Sequence, residues 1–139
     1  MKLPLLCASA LLSCAAMCHA QSGVLSVVVT SNGQPVADAV VVAVPTDGAL
    51  PAGKVRAEQL DQIDKEFVPR VKPVLVGSTV AFPNKDSVRH HVYSFSPAKR
   101  FELPLYAGVP SQPVLFDRPG VVVLGCNIHD WMVGYIYVA

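Results

Sequence analysis

The sequence lacks the features that a nucleic-acid-binding or membrane-embedded protein needs. Its 11 Lys and Arg nearly balance its 10 Asp and Glu, for a formal net charge of +1, which argues against a polyanion as the main partner. Beyond residue 20, no apolar run approaches the roughly 18 residues that would span a bilayer. The length suits one ordinary domain. We therefore expect no nucleic-acid partner and no integral membrane segment.

The first 20 residues, MKLPLLCASALLSCAAMCHA, have a separate explanation. Lys2 precedes an apolar stretch of about a dozen residues, and small residues then end at Ala20, which is the layout of a secretory signal peptide. Cleavage after Ala20 predicts an exported, periplasmic protein. The run Leu11-Leu12-Ser13-Cys14 is an imperfect lipoprotein box, so a lipid on Cys14 is the alternative.

Cysteine and methionine become scarce once residues 1–20 are set aside. The chain from residue 21 to 139 keeps one Cys, one Met and three His: Cys126, Met132, His90, His91 and His129. An unpaired Cys in an oxidising compartment is a liability unless it is buried, joined to another chain, or committed to a metal or to catalysis. Cys126 therefore needs a functional or structural reason.

Strand-forming residues dominate what is present. Many Val, with 12 Pro and 9 Gly spread along the chain, indicate an all-β protein of short strands. Asn32-Gly33 between residues 24–30 and 35–45 predicts a hairpin, whereas residues 56–66 are ambiguous and could form a helix. Later strands are predicted at 72–76, 78–82, 91–95, 101–106, 112–116, 120–125 and 132–138.

The predicted strands suggest a β-sandwich or barrel with Greek-key connections. Residues 120–124, GVVVL, are apolar throughout, so we expect that strand to be covered on both faces.

The run GCNIHDWM, residues 125–132, places Cys126, His129 and Met132 at three-residue intervals. A tight loop there can turn a thiolate, an imidazole and a thioether toward one point. This mixture suits copper better than calcium, magnesium or manganese, and a blue-copper site needs one Cys and two His with a weak axial Met. The missing imidazole must then come from His90 or His91.

Other interpretations of the same residues exist. Cys126 alone is often a buried structural thiol, and it could be a nucleophile with His129 as its base, although no glycine-framed nucleophile turn follows it. A zinc site would leave Met132 unexplained. Copper storage or delivery is the better rival, although the chain lacks the Met-rich or His-rich tracts that favour it.

Two segments carry a resemblance to a known family. VGSTVAFPNKDSVRHHVYSF (76–95) and LGCNIHDWMVGYIYV (124–138) resemble the cupredoxins, the type 1 blue copper family. The loop spacing is similar to that of short-loop amicyanin, and the pattern to that of plastocyanin-like proteins labelled methylamine utilisation proteins. The resemblance covers residues 60–139, and it includes Phe67, Pro69, Gly77, Val80, Phe82 and Asn84.

The resemblance implies a cupredoxin-like Greek-key β-sandwich with an added N-terminal β-hairpin that could extend or cover a sheet edge. It implies one type 1 copper ion, whose ligands are His90, Cys126, His129 and Met132. His91 stands where many members have Asn; it could bond Asn127 or replace His90 as the ligand. Asn84 is expected to hold the ligand loop through its side chain.

These expectations define the predicted protein. It consists of a signal peptide (1–20), an N-terminal β-hairpin and loop (21–55) and a cupredoxin-like copper-binding domain (56–139). It is predicted to be a monomeric periplasmic one-electron carrier and not an enzyme. By resemblance, His129 is the electron port, and the partner is a small redox protein such as a c-type cytochrome or a periplasmic dehydrogenase. We expect Trp131 to pack over the loop rather than form a docking patch.

Overall fold

A computed structural model describes residues 24–46, 53–110 and 112–139. The predicted signal peptide, the lipoprotein box and residues 47–52 of the predicted N-terminal loop lie outside the described residues. Those described form strands and no helix, and none of them belongs to a helix that could cross a membrane.

The described residues form twelve strands. They are β1 (Thr30–Ser31), β2 (Gln34–Pro35), β3 (Ala57–Gln59), β4 (Asp61–Ile63), β5 (Glu66–Val68), β6 (Val71–Val74), β7 (Ser78–Ala81), β8 (His90–Ser96), β9 (Lys99–Tyr106), β10 (Val114–Phe116), β11 (Gly120–Cys126) and β12 (Val133–Val138).

Two sheets form the body of the protein. One has five strands in the order β6-β12-β11-β8-β9, and the other has three in the order β10-β7-β3. β12 pairs with β6, and β3 with β7, in parallel; the other pairs are antiparallel. Because strands distant in sequence are neighbours in the sheets, the connections cross over, and the predicted all-β Greek-key sandwich is confirmed.

One continuous apolar core holds the sheets together. Val80 and Phe116 from the smaller sheet, and Val122 and Ile136 from the larger one, are fully buried. β12 alternates strictly between buried and half-buried positions, as a strand does when one face meets a core. Burial of this apolar surface is the main force that holds the sandwich closed.

β11 departs from the prediction. Val122 and Leu124 are buried, but Val121 and Val123 are 53% and 44% exposed, so only one face of the strand is covered. The expectation of a strand covered on both faces was wrong. Valine favours strands whether or not both faces are buried, so an apolar run alone does not distinguish the two environments.

The segment before residue 60 also differs from the expectation. The predicted hairpin is limited to two residues on each side of Asn32-Gly33, and residues 36–45 form no strand. Asp38 Oδ2 lies 3.5 Å from Arg70 Nη1, so this part of the segment lies beside the start of β6. It adds no strand to the sheet. The domain division at residue 56 stays a prediction.

Residues 56–66, ambiguous in the sequence, form β3, β4 and the first residue of β5. β4 and β5 pair as a hairpin whose turn is Asp64-Lys65. The hairpin is joined to the core through Phe67, which is 2% exposed. Phe67 lies over Gly134 of β12, where a Cβ atom would stand only 2.8 Å from the Phe67 Cβ. A glycine is therefore needed at 134 for this close approach.

Candidate metal centre

The end of β11 and the start of β8 lie side by side. Cys126 is the Cα partner of Val92 in this pairing, so the last residue of one strand comes next to the first residues of the other. His90 opens β8, and the loop after Cys126 carries His129. The ligand-type atoms of His90, Cys126 and His129 all lie within 4.8 Å of one another.

Cys126 is at the centre of this group. Its Sγ lies 3.8 Å from His90 Nδ1 and 3.8 Å from His129 Nδ1. His90 is fully buried and Cys126 is 4% exposed, whereas His129 is half-buried. The structure therefore gives one imidazole of the group access to solvent.

Met132 completes the set that the sequence predicted. It is 1% exposed and belongs to the core cluster that includes Cys126. The Met132 backbone NH donates to the His129 carbonyl at 3.0 Å, which closes the loop between the two residues. The loop is therefore tight, as the spacing predicted.

The other nitrogen of His90 is held by a carboxylate. His90 Nε2 lies 2.9 Å from Asp86 Oδ2, and Nε2 is the ring nitrogen that must carry the proton if it donates to that oxygen. The Nδ1 lone pair is then free to face Cys126. A carboxylate on the far nitrogen of a histidine fixes the tautomer and ring orientation that a metal ligand needs.

Burial and hydrogen bonds act in opposite directions on Asp86. Burial raises the pKa of Asp86, but the backbone NH groups of Lys65 and Asp64 and the bond to His90 outweigh it, so this pKa lies below its ordinary value. Burial lowers the pKa of His90, and Asp86 only partly offsets this. Both shifts favour an ionised carboxylate beside a neutral imidazole, and a neutral imidazole is the form that binds metals.

Asn84 fastens the loop that leads to His90. Its Nδ2 donates to the carbonyls of Val88, at 2.7 Å, and Tyr106, at 3.1 Å. Its Oδ1 accepts from the Asp86 backbone NH at 2.9 Å. The predicted role of Asn84 in holding the ligand loop is therefore confirmed.

His91 points away from the group. Its Nε2 lies 3.0 Å from Glu102 Oε1, without the alignment of a hydrogen bond, and its ring meets Tyr93 edge-on. Successive side chains of a strand point to opposite faces, so His90 and His91 cannot both face Cys126. The His90 ring is therefore the one that faces Cys126, and its choice over His91 as the metal ligand stays a prediction. His91 does contact Asn127, but its backbone carbonyl makes the contact, accepting from the Asn127 NH at 3.3 Å.

Trp131 also differs from the expectation. It is 67% exposed, and its ring centroid lies 5.3 Å from that of His129. The expectation that Trp131 packs over the loop was wrong in its main part, because most of the side chain faces solvent. Ile128, in the same loop, is 48% exposed, so apolar surface lies on both sides of His129 in the sequence.

Sequence reasoning missed three residues that support the site. Asp86 contacts His90 directly, while Gln62 and Tyr106 lie beneath the loop: both bond the Phe82 carbonyl, Gln62 through Nε2 at 2.9 Å and Tyr106 through its hydroxyl at 2.6 Å. An acid four residues before a histidine was the one available signal for Asp86. Nothing in the sequence marked Gln62, because the segment around it was not assigned to a strand.

The donor set fits copper. A thiol and two imidazoles converge, with a buried thioether three residues beyond the second imidazole. Sulfur donors combined with imidazole favour copper over the hard cations, and zinc gives no reason for the Met. Asp86 is also placed to hold the proton of His90 on Nε2, which leaves Nδ1 of that residue available as a donor.

Comparisons with known proteins agree on the fold. No protein-family model and no curated protein matches the sequence. A Cu-containing nitrite reductase from Thermus scotoductus SA-01 matches with a TM-score of 0.54 and 28% identity over 70% of this chain. This chain spans only 25% of that protein's length.

Two smaller proteins match over most of their own length. A purple cupredoxin from Nitrosopumilus maritimus has a TM-score of 0.52 and 26% identity, covering 58% of this chain and 98% of its own. An oxidised amicyanin variant has a TM-score of 0.52 and 18% identity, covering 58% and 80%. The structural neighbours are cupredoxins, and the chain has the cupredoxin fold.

Proposed function

We propose that this protein is a periplasmic one-electron carrier with one type 1 copper ion, held by His90, Cys126, His129 and Met132. The observation that carries the proposal is the convergence of two imidazole Nδ1 atoms on one thiol sulfur, each at 3.8 Å. Copper would supply the one-electron couple. Three of the neighbours are copper proteins by name: the nitrite reductase and two amicyanin variants in their Cu(I) form.

The surroundings of the site suit electron transfer. His90 and Cys126 are buried, and hydrogen bonds from Asn84 and Asp86 fix the loop that carries His90. Ligands that are held in place by their surroundings change little when the charge on the metal changes, which keeps the reorganisation small. A carrier needs this property in both oxidation states.

His129 is the proposed electron port. It is the most exposed of the three converging residues, and the exposed Trp131 and Ile128 lie in the same loop. An apolar surface around a buried redox centre suits a transient partner, because it can be desolvated without leaving charges unpaired. We propose a small redox protein, such as a c-type cytochrome or a periplasmic dehydrogenase, as that partner, and a monomer as the working form.

Three further parts of the proposal come from the sequence. Export follows from the predicted signal peptide, and the relation to methylamine utilisation proteins follows from the motif resemblance. The proposal is also that the chain is not an enzyme, because the same donors explain Cys126 and His129 without a nucleophile. Mass spectrometry of the mature N-terminus distinguishes cleavage before Gln21 from lipidation at Cys14.

Copper storage or delivery is the alternative function for the same ligands. Voltammetry and chelator competition separate the two. A carrier gives a reversible one-electron wave and retains its copper through repeated cycles. A storage or delivery protein instead releases Cu(I) to a chelator of moderate affinity, and that result would contradict the carrier proposal.

A further inference from the structure

The turn between β4 and β5 has an unusual backbone. Ile63 pairs with Glu66, so the turn contains only Asp64 and Lys65, and their φ angles are +55° and +61°. Two successive positive φ angles define the hairpin turn in which Asn-Gly is preferred. A lysine at the second position is energetically unfavourable, because side-chain-bearing residues rarely adopt a positive φ angle. Such strained conformations are often found at functional sites.

This backbone directs two NH groups at one carboxylate. The Asp64 NH donates to Asp86 Oδ1 at 2.7 Å, and the Lys65 NH donates to Asp86 Oδ2 at 2.9 Å. Each carboxylate oxygen therefore receives one backbone donor. Successive NH groups that converge in this way form an anion-binding concavity, and here the anion is a side chain of the same protein.

The same carboxylate holds His90. Asp86 Oδ2 accepts from the Lys65 NH and also lies 2.9 Å from His90 Nε2. The Asp86 side chain is 12% exposed and that of His90 is fully buried. A carboxylate at the edge of solvent can rotate toward water unless other donors hold it. The backbone NH groups of the turn are two such donors.

The hairpin is itself fixed to the loop that carries Asp86. The Gln62 NH donates to the Pro83 carbonyl at 3.0 Å, and the Lys85 NH donates to the Gln62 carbonyl at 2.9 Å. The fully buried Gln62 side chain also bonds the Phe82 carbonyl and the Tyr106 hydroxyl. Hydrogen bonds from Gln62 and to its carbonyl thus attach the hairpin to both ends of the segment from Phe82 to Asp86, which leads to His90.

We infer that the Asp64-Lys65 turn is a positioning element for the metal site. It holds the Asp86 carboxylate, and Asp86 in turn fixes the proton of His90 on Nε2 and directs Nδ1 toward Cys126. In the copper protein this contact makes His90 a stronger donor, which favours Cu(II). The effect on copper rests on the proposed function, whereas the effect on the His90 proton is a property of the metal-free protein.

Two variants with equal charge test the turn. The control is D64N/K65G, which keeps a two-residue turn in the sequence that this turn prefers. The test variant adds two glycines between positions 64 and 65 of that control, which withdraws the two NH groups. Each is also made in an Asp86→Ala background. The readouts are the NMR signal of the His90 Nε2 proton in metal-free protein and the reduction potential after copper loading.

The inference predicts that the control keeps the His90 Nε2 proton signal, and the reduction potential of the control is the reference for the insertion variant. The glycine insertion should lose the signal and raise the potential, in the same direction as Asp86→Ala. In the Asp86→Ala background the insertion should have no further effect on the proton signal or the potential. The substitution has already removed the carboxylate through which the turn acts, and the double-mutant cycle measures that coupling. An equal shift in that background, or an unchanged proton signal in the insertion variant, would overturn the inference.

A second measurement leaves the turn intact, in case the insertion prevents folding. The Asp64 and Lys65 amide protons should be protected from exchange in the wild type, and Asp86→Ala should remove that protection. Amides that already exchange freely in the wild type contradict the inference. A wild type that binds copper without type 1 character overturns the proposed function instead, while the proton measurements still decide the role of the turn.

Discussion

His90 Nδ1 and Cys126 Sγ lie 3.8 Å apart although 36 positions separate the two residues in the chain. The pairing of β8 with β11 brings them together, and Asp86 on the far nitrogen of His90 fixes which atom faces the sulfur. The site is therefore a product of sheet topology combined with one loop. Each part of this arrangement can be tested separately.

The two adjacent histidines should behave differently. His90→Ala removes an imidazole that faces Cys126, so the loaded variant should lose most of its intense visible absorption. His91→Ala is the matched control, because His91 lies near Glu102 and should keep the band. Optical titration with Cu(II) measures both variants. If His91→Ala alone loses the colour, the ligand assignment fails.

Asn84 should contribute strongly to the stability of the metal-free protein. Asn84→Ala leaves the Val88 and Tyr106 carbonyls and the Asp86 NH without their partner, which should lower the free energy of unfolding by about 1–3 kcal/mol. Urea denaturation measures this change. The exposed Asn127 is the matched control, and Asn127→Ala should change the free energy of unfolding by less than about 0.5 kcal/mol. Equal effects at the two positions would contradict the proposed role of Asn84.

Ionisation of Tyr106 should lower the free energy of unfolding at alkaline pH. Burial raises the pKa of Tyr106 from 10.0 to about 12, although the bond from Gln62 opposes the shift. In the unfolded chain the phenol ionises near its ordinary pKa, so the unfolded state loses the proton first as the pH rises. The contribution of Tyr106 is complete below pH 10 and is lost between pH 10 and about 12.

Comparison with Tyr106→Phe isolates this contribution. Over that pH range the free energy of unfolding should fall more steeply in the metal-free wild type than in the variant. Urea denaturation at successive pH values gives both curves. Parallel curves would show that the phenol is not held in its neutral form.

Trp131 should report on the metal directly. It is the only Trp in the sequence, and its ring centroid lies 5.3 Å from that of His129. Binding of Cu(II) should quench most of the Trp fluorescence, because an open-shell ion at His129 is close enough to accept the excitation. Zn(II), with its filled shell, is the control and should leave most of the emission. Unquenched emission from a copper-loaded protein would place the metal away from His129.

Much of the site could be predicted from the sequence because its elements are local. Cys126, His129 and Met132 lie within one short loop, and the scarcity of His left only two candidates for the remaining imidazole. The choice between His90 and His91 rested on resemblance. The alternation of side chains along β8 gives its physical reason, since only one of two successive residues can face the core.

The remainder depended on contacts between segments that are distant in sequence. The backbone NH groups of Asp64 and Lys65 hold the Asp86 carboxylate beside His90. No periodicity in the sequence indicates this contact. Val121 and Val123 were expected to be buried because they belong to an apolar run. Such a run occurs both in strands buried on one face and in strands buried on two, so it does not show which face is exposed. Trp131 was expected to pack over the loop, but most of its side chain faces solvent.

The visible spectrum of the copper-loaded protein tests the central claim most directly. Wild-type protein given one equivalent of Cu(II) should become intensely blue, because the Cys126 thiolate would bind copper in the plane of His90 and His129. Cys126→Ser, loaded in the same way, should stay colourless. A colourless wild type with one copper bound would contradict the type 1 assignment.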